Sequence, residues 1–308
     1  MTGKTVLITG GSRGLGLELA RAFCRQGAQV AICARDIDEL THASLNLLHE
    51  GCRVQAFPCD LTDARQAEVL IEQVTEYFGS LDVLVNNAGI ISVAPVEEMT
   101  LADFDEAMQT NYYAALHAIL AALPAMKAQR QGRIVNIVSI GGKISVPHLV
   151  PYSASKFALA GLSKGLRAEL RKDGIVVTTV FPGLMRTGSP RNATFKGQHR
   201  AEYAWFSIGD SLPLLSMSAE EAARDIVAAC QQGTDEVVLS LPAKIAAQMN
   251  ANFPALTTEA LSLVNRLLPG PGGIGKTAAK GEDSESWLSP SWLTAPNEEA
   301  AVRNNQIH

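Results

Sequence analysis

Charge is scarce in this chain and nowhere concentrated. Charged residues make up 19% of it, the formal net charge is −5, and no block of lysine and arginine stands out. Nucleic-acid binders need a basic stripe to meet phosphates, so that class of function has no support. The 6 histidines show no HExxH pair or other ligand spacing, and no metal site is expected. The 5 cysteines (Cys24, Cys33, Cys52, Cys59, Cys230) form no CxxC and leave one over. They read as small buried hydrophobes of a reducing compartment. Long apolar runs are also missing. YYAALHAILAALPAM carries His117 and Pro124 and is too short to span a bilayer, so it reads as a buried helix. The first strand begins at residue 4, leaving no room for a signal or transit peptide, and the expected location is cytoplasmic.

What is present is a full core. The 308 residues are 47% hydrophobic, enough for one α/β domain. Apolar, β-branched runs predict strands at 4–9, 28–34, 53–58, 82–86, 133–139, 175–181 and 236–241. Helical periodicity lies between them, near 14–26, 37–50, 63–78, 101–129, 152–172 and 218–232. Strand and helix alternate, and right-handed crossovers through each helix give a doubly wound parallel sheet of Rossmann type, with helices on both faces. We divide the chain into a dinucleotide-binding catalytic domain (1–242), a C-terminal helical extension (243–269) and a tail (270–308) opened by PGPGG. The tail reads as flexible or wrapped on the surface, with Trp287 and Trp292 against full solvation.

Two segments carry chemistry. The first is Thr9-Gly10-Gly11-Ser12-Arg13-Gly14-Leu15-Gly16, set between a strand and a helical pattern. Such glycines let backbone approach a pyrophosphate, and the helix N-terminus offers N–H groups and a positive dipole end. The end of the second strand selects the cofactor. An acid there binds a ribose 2′-hydroxyl, whereas arginine suits a 2′-phosphate. Ala34 holds that end, Arg35 and Asp36 follow, and Arg13 is a second cation nearby. NADP is therefore favoured over NAD. The second segment is PYSASKFAL, in which Tyr152 and Lys156 stand one helical turn apart, downstream of Ser139. Free tyrosine has a pKa of about 10, and a nearby cation is expected to lower it into a useful range. Tyrosine donor, lysine tuner and serine hydroxyl suit proton transfer to a carbonyl oxygen.

On these residues the chain resembles the short-chain dehydrogenase/reductase family, in its single-domain subgroup with TGxxxGxG and YxxxK motifs, over residues 4–242. The resemblance implies that Gly10, Ser12, Arg13, Gly14, Leu15 and Gly16 hold the cofactor's phosphate end, with Arg35 beside them. It implies that Asp60 and Leu61 contact adenine, and that Asn87, Ala88 and Gly89 line the segment after the fourth strand. Pro182, Gly183 and Thr187 would border the nicotinamide. Asn111, Ser139, Tyr152 and Lys156 match the catalytic four, with Lys156 also on the ribose and Asn111 steadying a proton-supplying water chain. A homo-oligomer, dimer or tetramer, is implied as well.

The implied activity is hydride transfer between NADP(H) and a carbonyl or secondary alcohol, on a hydrophobic ketone or 3-oxoacyl substrate. Two other readings compete: a dinucleotide-sensing protein without turnover, and a reductase of lipid or sterol ketones at a membrane surface. The segment 185–217 reads as a substrate lid, its Phe195, Tyr203, Trp205 and Phe206 lining an apolar pocket or packing the lid down. Its Arg191, Lys196, His199 and Arg200 would meet an acidic head group. His148 is the one histidine placed to touch substrate, and its plainer reading is an exposed loop residue. The extension 243–269 is amphipathic, with Phe253, Leu256, Ala260, Leu263, Val264 and Leu267 at helical spacing. It is read as packing on the core or a second subunit, or as touching a membrane.

Overall fold

The computed structural model describes the whole chain apart from residues 213–214, 287–288, 290, 292–293 and 307–308, so Trp287 and Trp292 lie outside the described residues. Seven strands form the central sheet: β1 (Thr5–Thr9), β2 (Gln29–Ala34), β3 (Val54–Pro58), β4 (Val83–Asn86), β5 (Gly132–Ile137), β6 (Ile175–Phe181) and β7 (Glu236–Val238). Their spatial order is β7-β6-β5-β4-β1-β2-β3, and every neighbouring pair is parallel. The chain winds outward from β1 to β3, then returns beside β1 with β4. That reversal opens a crevice at the carboxyl ends of β1 and β4, where open α/β sheets bind ligands.

Alternation along β1 divides the core. Val6 and Ile8 face helices α1 (Gly14–Arg25), α2 (Ile37–His49) and α8 (Ala219–Gln232), whereas Leu7 faces α3 (Ala64–Phe78) and α5 (Ala114–Ala128). Phe23, Leu17 and Ile226 fill the first layer, and Leu70, Val74 and Ile119 the second, all essentially sealed from water. Each such side chain contributes roughly 1.5–3 kcal/mol by leaving water. This double burial is why the strands are continuous apolar runs in sequence.

Four sequence expectations change. The helix expected over 101–129 is α4 (Leu101–Met108), a π-helical turn at Gln109–Tyr113, and α5. The extension is two helices, α9 (Leu241–Asn252) and α10 (Pro254–Asn265), because Phe253 leaves the helical region and Pro254 starts afresh. These helices meet the core only through α9, where Ala243 is buried and Asn250 Nδ2 donates to the Lys143 carbonyl at 3.0 Å, while Ile245, Phe253, Leu256 and Leu263 stay exposed. The cysteines are not all free thiols. Cys24 and Cys52 are joined as a disulfide, because the end of α1 meets the turn after α2 with Cα atoms 5.5 Å apart, a normal bridging separation. Cys33, Cys59 and Cys230 are buried free thiols.

The tail takes the wrapped form. Ala279–Lys280 pairs antiparallel with Thr194–Phe195, and α11 (Ala295–Arg303) packs against α7 (His199–Ser211) and the short strand Leu184–Arg186. Among the described residues, no helix is long and apolar enough to cross a membrane.

Candidate active site

Local sequence builds the phosphate end. Gly14 has φ +56°, a left-handed conformation that suits glycine, and a side chain on Gly16 would collide with the Gly10 carbonyl. The turn is tied to the strand opposite: Thr9 Oγ1 accepts from the backbone N–H groups of Asn87 and Ala88 at 2.9 and 3.0 Å. Asn87 Nδ2 returns the bond to the Thr9 and Gly10 carbonyls. The glycine turn and the Asn87–Gly89 segment are thus one wall of the crevice. These glycines let the turn close on itself: an added Cβ would meet Ala88 at Gly10, Ile32 at Gly11 and the Gly10 carbonyl at Gly16, so the backbone N–H groups at the start of α1 are presented without side chains, which fits a dinucleotide's phosphates.

Cofactor-selecting residues are arranged less simply than their spacing suggests. Arg13 does not stand free: its guanidinium pairs with Glu39 at 2.6 Å and with Asn192 at 3.0 Å. Ser12 Oγ also reaches Glu39, at 3.1 Å. Arg35 is exposed, and Asp36 beside it is engaged in capping α2, accepting from the Glu39 N–H. At the end of β3, Asp60 is held by Thr62, and the Leu61 carbonyl meets His117. Thr187 is buried after Pro182 and Gly183, whose segment is anchored by Ile140 N–H on the Pro182 carbonyl.

The second cluster lies at the same edge. Ser139 follows β5, and Tyr152 and Lys156 lie on α6 (Val150–Leu170), which begins with a proline in its first turn. Gly141 brings the first two together: an added Cβ there would lie 3.2 Å from the Tyr152 ring and 3.3 Å from Ser139 Oγ. Lys156 Nζ lies 5.7 Å from the centre of the Tyr152 ring and donates to the Ile137 carbonyl at 3.0 Å. Burial pushes Tyr152 up to about 12, against the opposing pull of the Ser139 hydroxyl. The lowered phenol expected from the sequence is not what burial produces here: desolvation outweighs the Ser139 hydrogen bond. Burial also brings Lys156 down to about 8.

Asn111 sits in the π-helical turn, the widening that aims its side chain inward. Its Oδ1 accepts from the Ile90 N–H at 2.8 Å, and its Nδ2 donates to the Ile90 carbonyl and to Ser155 Oγ. Ser155 in turn donates to the Tyr152 carbonyl at 2.7 Å. The structure therefore brings Asn111, Ser139, Tyr152 and Lys156 to the crevice that Gly10–Gly16 and Asn87–Gly89 border.

The segment 185–217 is mostly regular structure. Leu184–Arg186 pairs with Ser216–Ser218, and α7 lies between. Phe195, Tyr203 and Phe206 form a buried cluster with Leu149, against which Tyr152 and Trp205 pack partly buried. Most of the segment's cations do not face a substrate. Arg191 pairs with Glu285 and Glu298, Lys196 is buried on Asp103, His199 meets Ser284, and Arg200 is exposed. His148 is not an exposed loop residue; it is buried on Glu202 at 2.9 Å because α7 folds back over it. Sequence reasoning missed Ser155 and also Asp210, a buried acid on α7 whose charge acts on Tyr152. Ser155 was signalled by its place beside Lys156; no motif marks Asp210.

The tail reaches this site too. Gly14 N–H donates to the Asn304 carbonyl at 2.8 Å, and Asn305 Nδ2 donates to the Ser12 carbonyl at 2.9 Å. Asn192 Nδ2 donates to Gln306 Oε1 at 2.7 Å, and the Gln306 amide lies against Gly14.

The sequence profile described as short chain dehydrogenase matches residues 4–196. A dehydrogenase/reductase SDR family protein 7-like of Anopheles gambiae is 41% identical over 63% of this chain, which spans 62% of that protein. A fatty acyl-CoA reductase of Acinetobacter baylyi is 33% identical over 92% of this chain and 90% of its own length. Among solved structures, an actinorhodin polyketide ketoreductase with NADPH superposes with a TM-score of 0.69 and 30% identity, covering 77% of this chain and 95% of the other.

Proposed function

The chain belongs to the short-chain dehydrogenase family, and from that premise we propose that it is an NADP(H)-dependent carbonyl reductase for a hydrophobic ketone of the 3-oxoacyl kind. The observation that carries the reading is the meeting of Ser139 and Tyr152 at Gly141, with Lys156 one turn further along α6. Bound in the crevice, the nicotinamide would supply hydride. Gly10, Ser12, Gly14, Leu15, Gly16, Asn87, Ala88, Gly89 and Thr187 would hold the cofactor, with Asp60 and Leu61 at its adenine. Ser139 donates to the carbonyl oxygen and steadies its developing charge, and Tyr152 hands over the proton. Lys156 stabilises the phenolate left behind, and Asn111 orients Ser155 and the segment at Ile90.

The relatives support an acyl ketone by their descriptions, one a fatty acyl-CoA reductase and one a polyketide ketoreductase solved with NADPH. Arg35, exposed at the end of β2, supports NADP preference, as does the engagement of Asp36 and Glu39 by α2 and Arg13. A panel of 3-oxoacyl thioesters and simple ketones, followed by cofactor absorbance with NADPH and NADH in parallel, tests the reading. Arg35→Ala should weaken NADPH roughly tenfold and NADH little, since a charge-assisted bond is worth about 1.5–3 kcal/mol. Equal losses would leave Arg35 a plain surface cation.

The proposal extends to a homo-oligomer. Leu101, Tyr113, Leu120 and Phe157 on and between α4 and α6 are exposed, as are the apolar residues of α9 and α10. Light scattering should report a dimer or tetramer. A monomer that floats with liposomes would instead assign the α9–α10 face to a membrane surface.

A further inference from the structure

Gln306 belongs to the wrapped tail, yet its side chain ends at the glycine turn. It is 7% exposed, and its Nε2 would stand 2.7 Å from a Cβ placed on Gly14. It is held there independently of the turn. Its backbone N–H donates to the Ala301 carbonyl at 2.9 Å, and Asn192 Nδ2 donates to its Oε1 at 2.7 Å and to its backbone carbonyl at 3.3 Å. Among the described residues nothing accepts from Nε2. Buried polar groups are nearly always satisfied, so a donor left open at a ligand crevice calls for an acceptor from outside the chain.

Which end of the amide faces Gly14 follows from a series of forced choices. Arg13 carries donors only, so the Asn192 oxygen must take its Nη1, at 3.0 Å. The Asn192 nitrogen is then the end that meets Gln306, and it requires the Gln306 oxygen. Only N–H groups remain to face Gly14. A second donor lies close by. The Thr187 Cβ is 4.0 Å from the same point on Gly14, and Thr187 Oγ1 accepts from the Ser189 N–H, which leaves its own hydrogen to donate. Both side chains stand at the N-terminus of α1, the positive end of that helix, where an anion is favoured.

Resting on the dinucleotide reading of the crevice, we propose that Gln306 is a cofactor-binding residue whose Nε2 donates to the pyrophosphate, alongside Thr187. Two donors and a helix N-terminus converge there, so the ligand must bring acceptors and negative charge, and a diphosphate brings both. The pyrophosphate is common to NADPH and NADH. Gln306 should therefore serve the two cofactors alike, unlike Arg35, which is assigned to the 2′-phosphate. The tail lies beyond the residues that the family profile matches, and this contact makes it part of the cofactor site.

The test measures dissociation constants of NADPH and NADH in the full chain by nucleotide fluorescence. Gln306→Ala should weaken both by about threefold to tenfold, the range of one hydrogen bond. Gln306→Met keeps the length of the side chain without its donor and should lose as much, which guards against an effect of lost packing. Gln306→Glu keeps the oxygen that Asn192 needs but turns a second, negative oxygen on the phosphate. It should weaken both cofactors about tenfold further than Ala. No loss in the Ala and Met variants, a loss confined to NADPH, or a Glu variant no weaker than Ala would overturn the role of Gln306 while leaving the reductase reading intact. A wild-type chain that binds neither dinucleotide would overturn both.

Discussion

Tyr152 and Lys156 show how burial sets the working range of a proton-transfer site. Tyr152 is pushed up to about 12, so it keeps its proton throughout neutral pH and is ready to donate in the direction of reduction. Lys156, brought down to about 8, is the member of the pair that titrates in an accessible range. Below that pH its ammonium favours the phenolate that forms; above it, the help is lost. We expect kcat/KM for reduction to fall as pH rises through about 8, and Tyr152→Phe to lose at least ~100-fold with NADPH binding retained. A profile flat to about pH 10, or a Phe variant with near-normal turnover, would remove these two residues from the chemistry. Both were legible in sequence because one helical turn encodes their proximity. Asp210 and His148 were not, since their burial depends on α7 returning across the crevice from far along the chain.

At the scale of elements, the strands were readable because burial on both faces writes them as apolar runs. The π-helical turn was not, because it follows from bonds between Asn111 and Ile90, on another segment. The position of α7 has a similarly non-local cause. Glu202, fully buried, accepts from Trp205 Nε1 at 2.7 Å on its own helix and bonds His148 Nδ1 on the loop before α6. The backbone of His148 is fixed in turn by Ala94 N–H on its carbonyl. Glu202 therefore anchors the helix that carries Phe206 toward Tyr152. Removing it strands the buried His148 and the partly buried Trp205 indole, and Glu202→Ala should destabilise by about 3 kcal/mol in denaturant unfolding. Glu202→Gln, which keeps an acceptor for the indole, should lose less. A change within about 0.5 kcal/mol for the Ala variant would mean that apolar packing alone places α7.

For the whole molecule, the tail matters as much as the sheet. Sequence composition suggested a loose segment, because glycine, serine and proline carry no periodicity. Its burial comes from individual polar side chains instead: Asn297 accepts from the Gly188 N–H at 2.9 Å, and Asn304, Asn305 and Gln306 lie nearly sealed against the glycine turn and the segment after β6. The Asn304 carbonyl takes the N–H of Gly14, a donor at the N-terminus of α1 of the kind that suits pyrophosphate. Asn305 spans from the Ser12 carbonyl to His42 on α2. If pyrophosphate takes the Gly14 N–H as proposed, the tail must yield that bond, and each such bond opposes its opening by about 1 kcal/mol. Removal of residues 304–308, with α11 kept, should therefore speed both association and release of NADPH, roughly tenfold or more. Stopped-flow fluorescence measures both rates directly. The Arg13–Glu39 pair and the glycine turn remain in the shortened chain, so affinity for NADPH should change less than either rate. Rates unaltered by the truncation would reduce the strap to a packing element and leave cofactor exchange to the crevice alone.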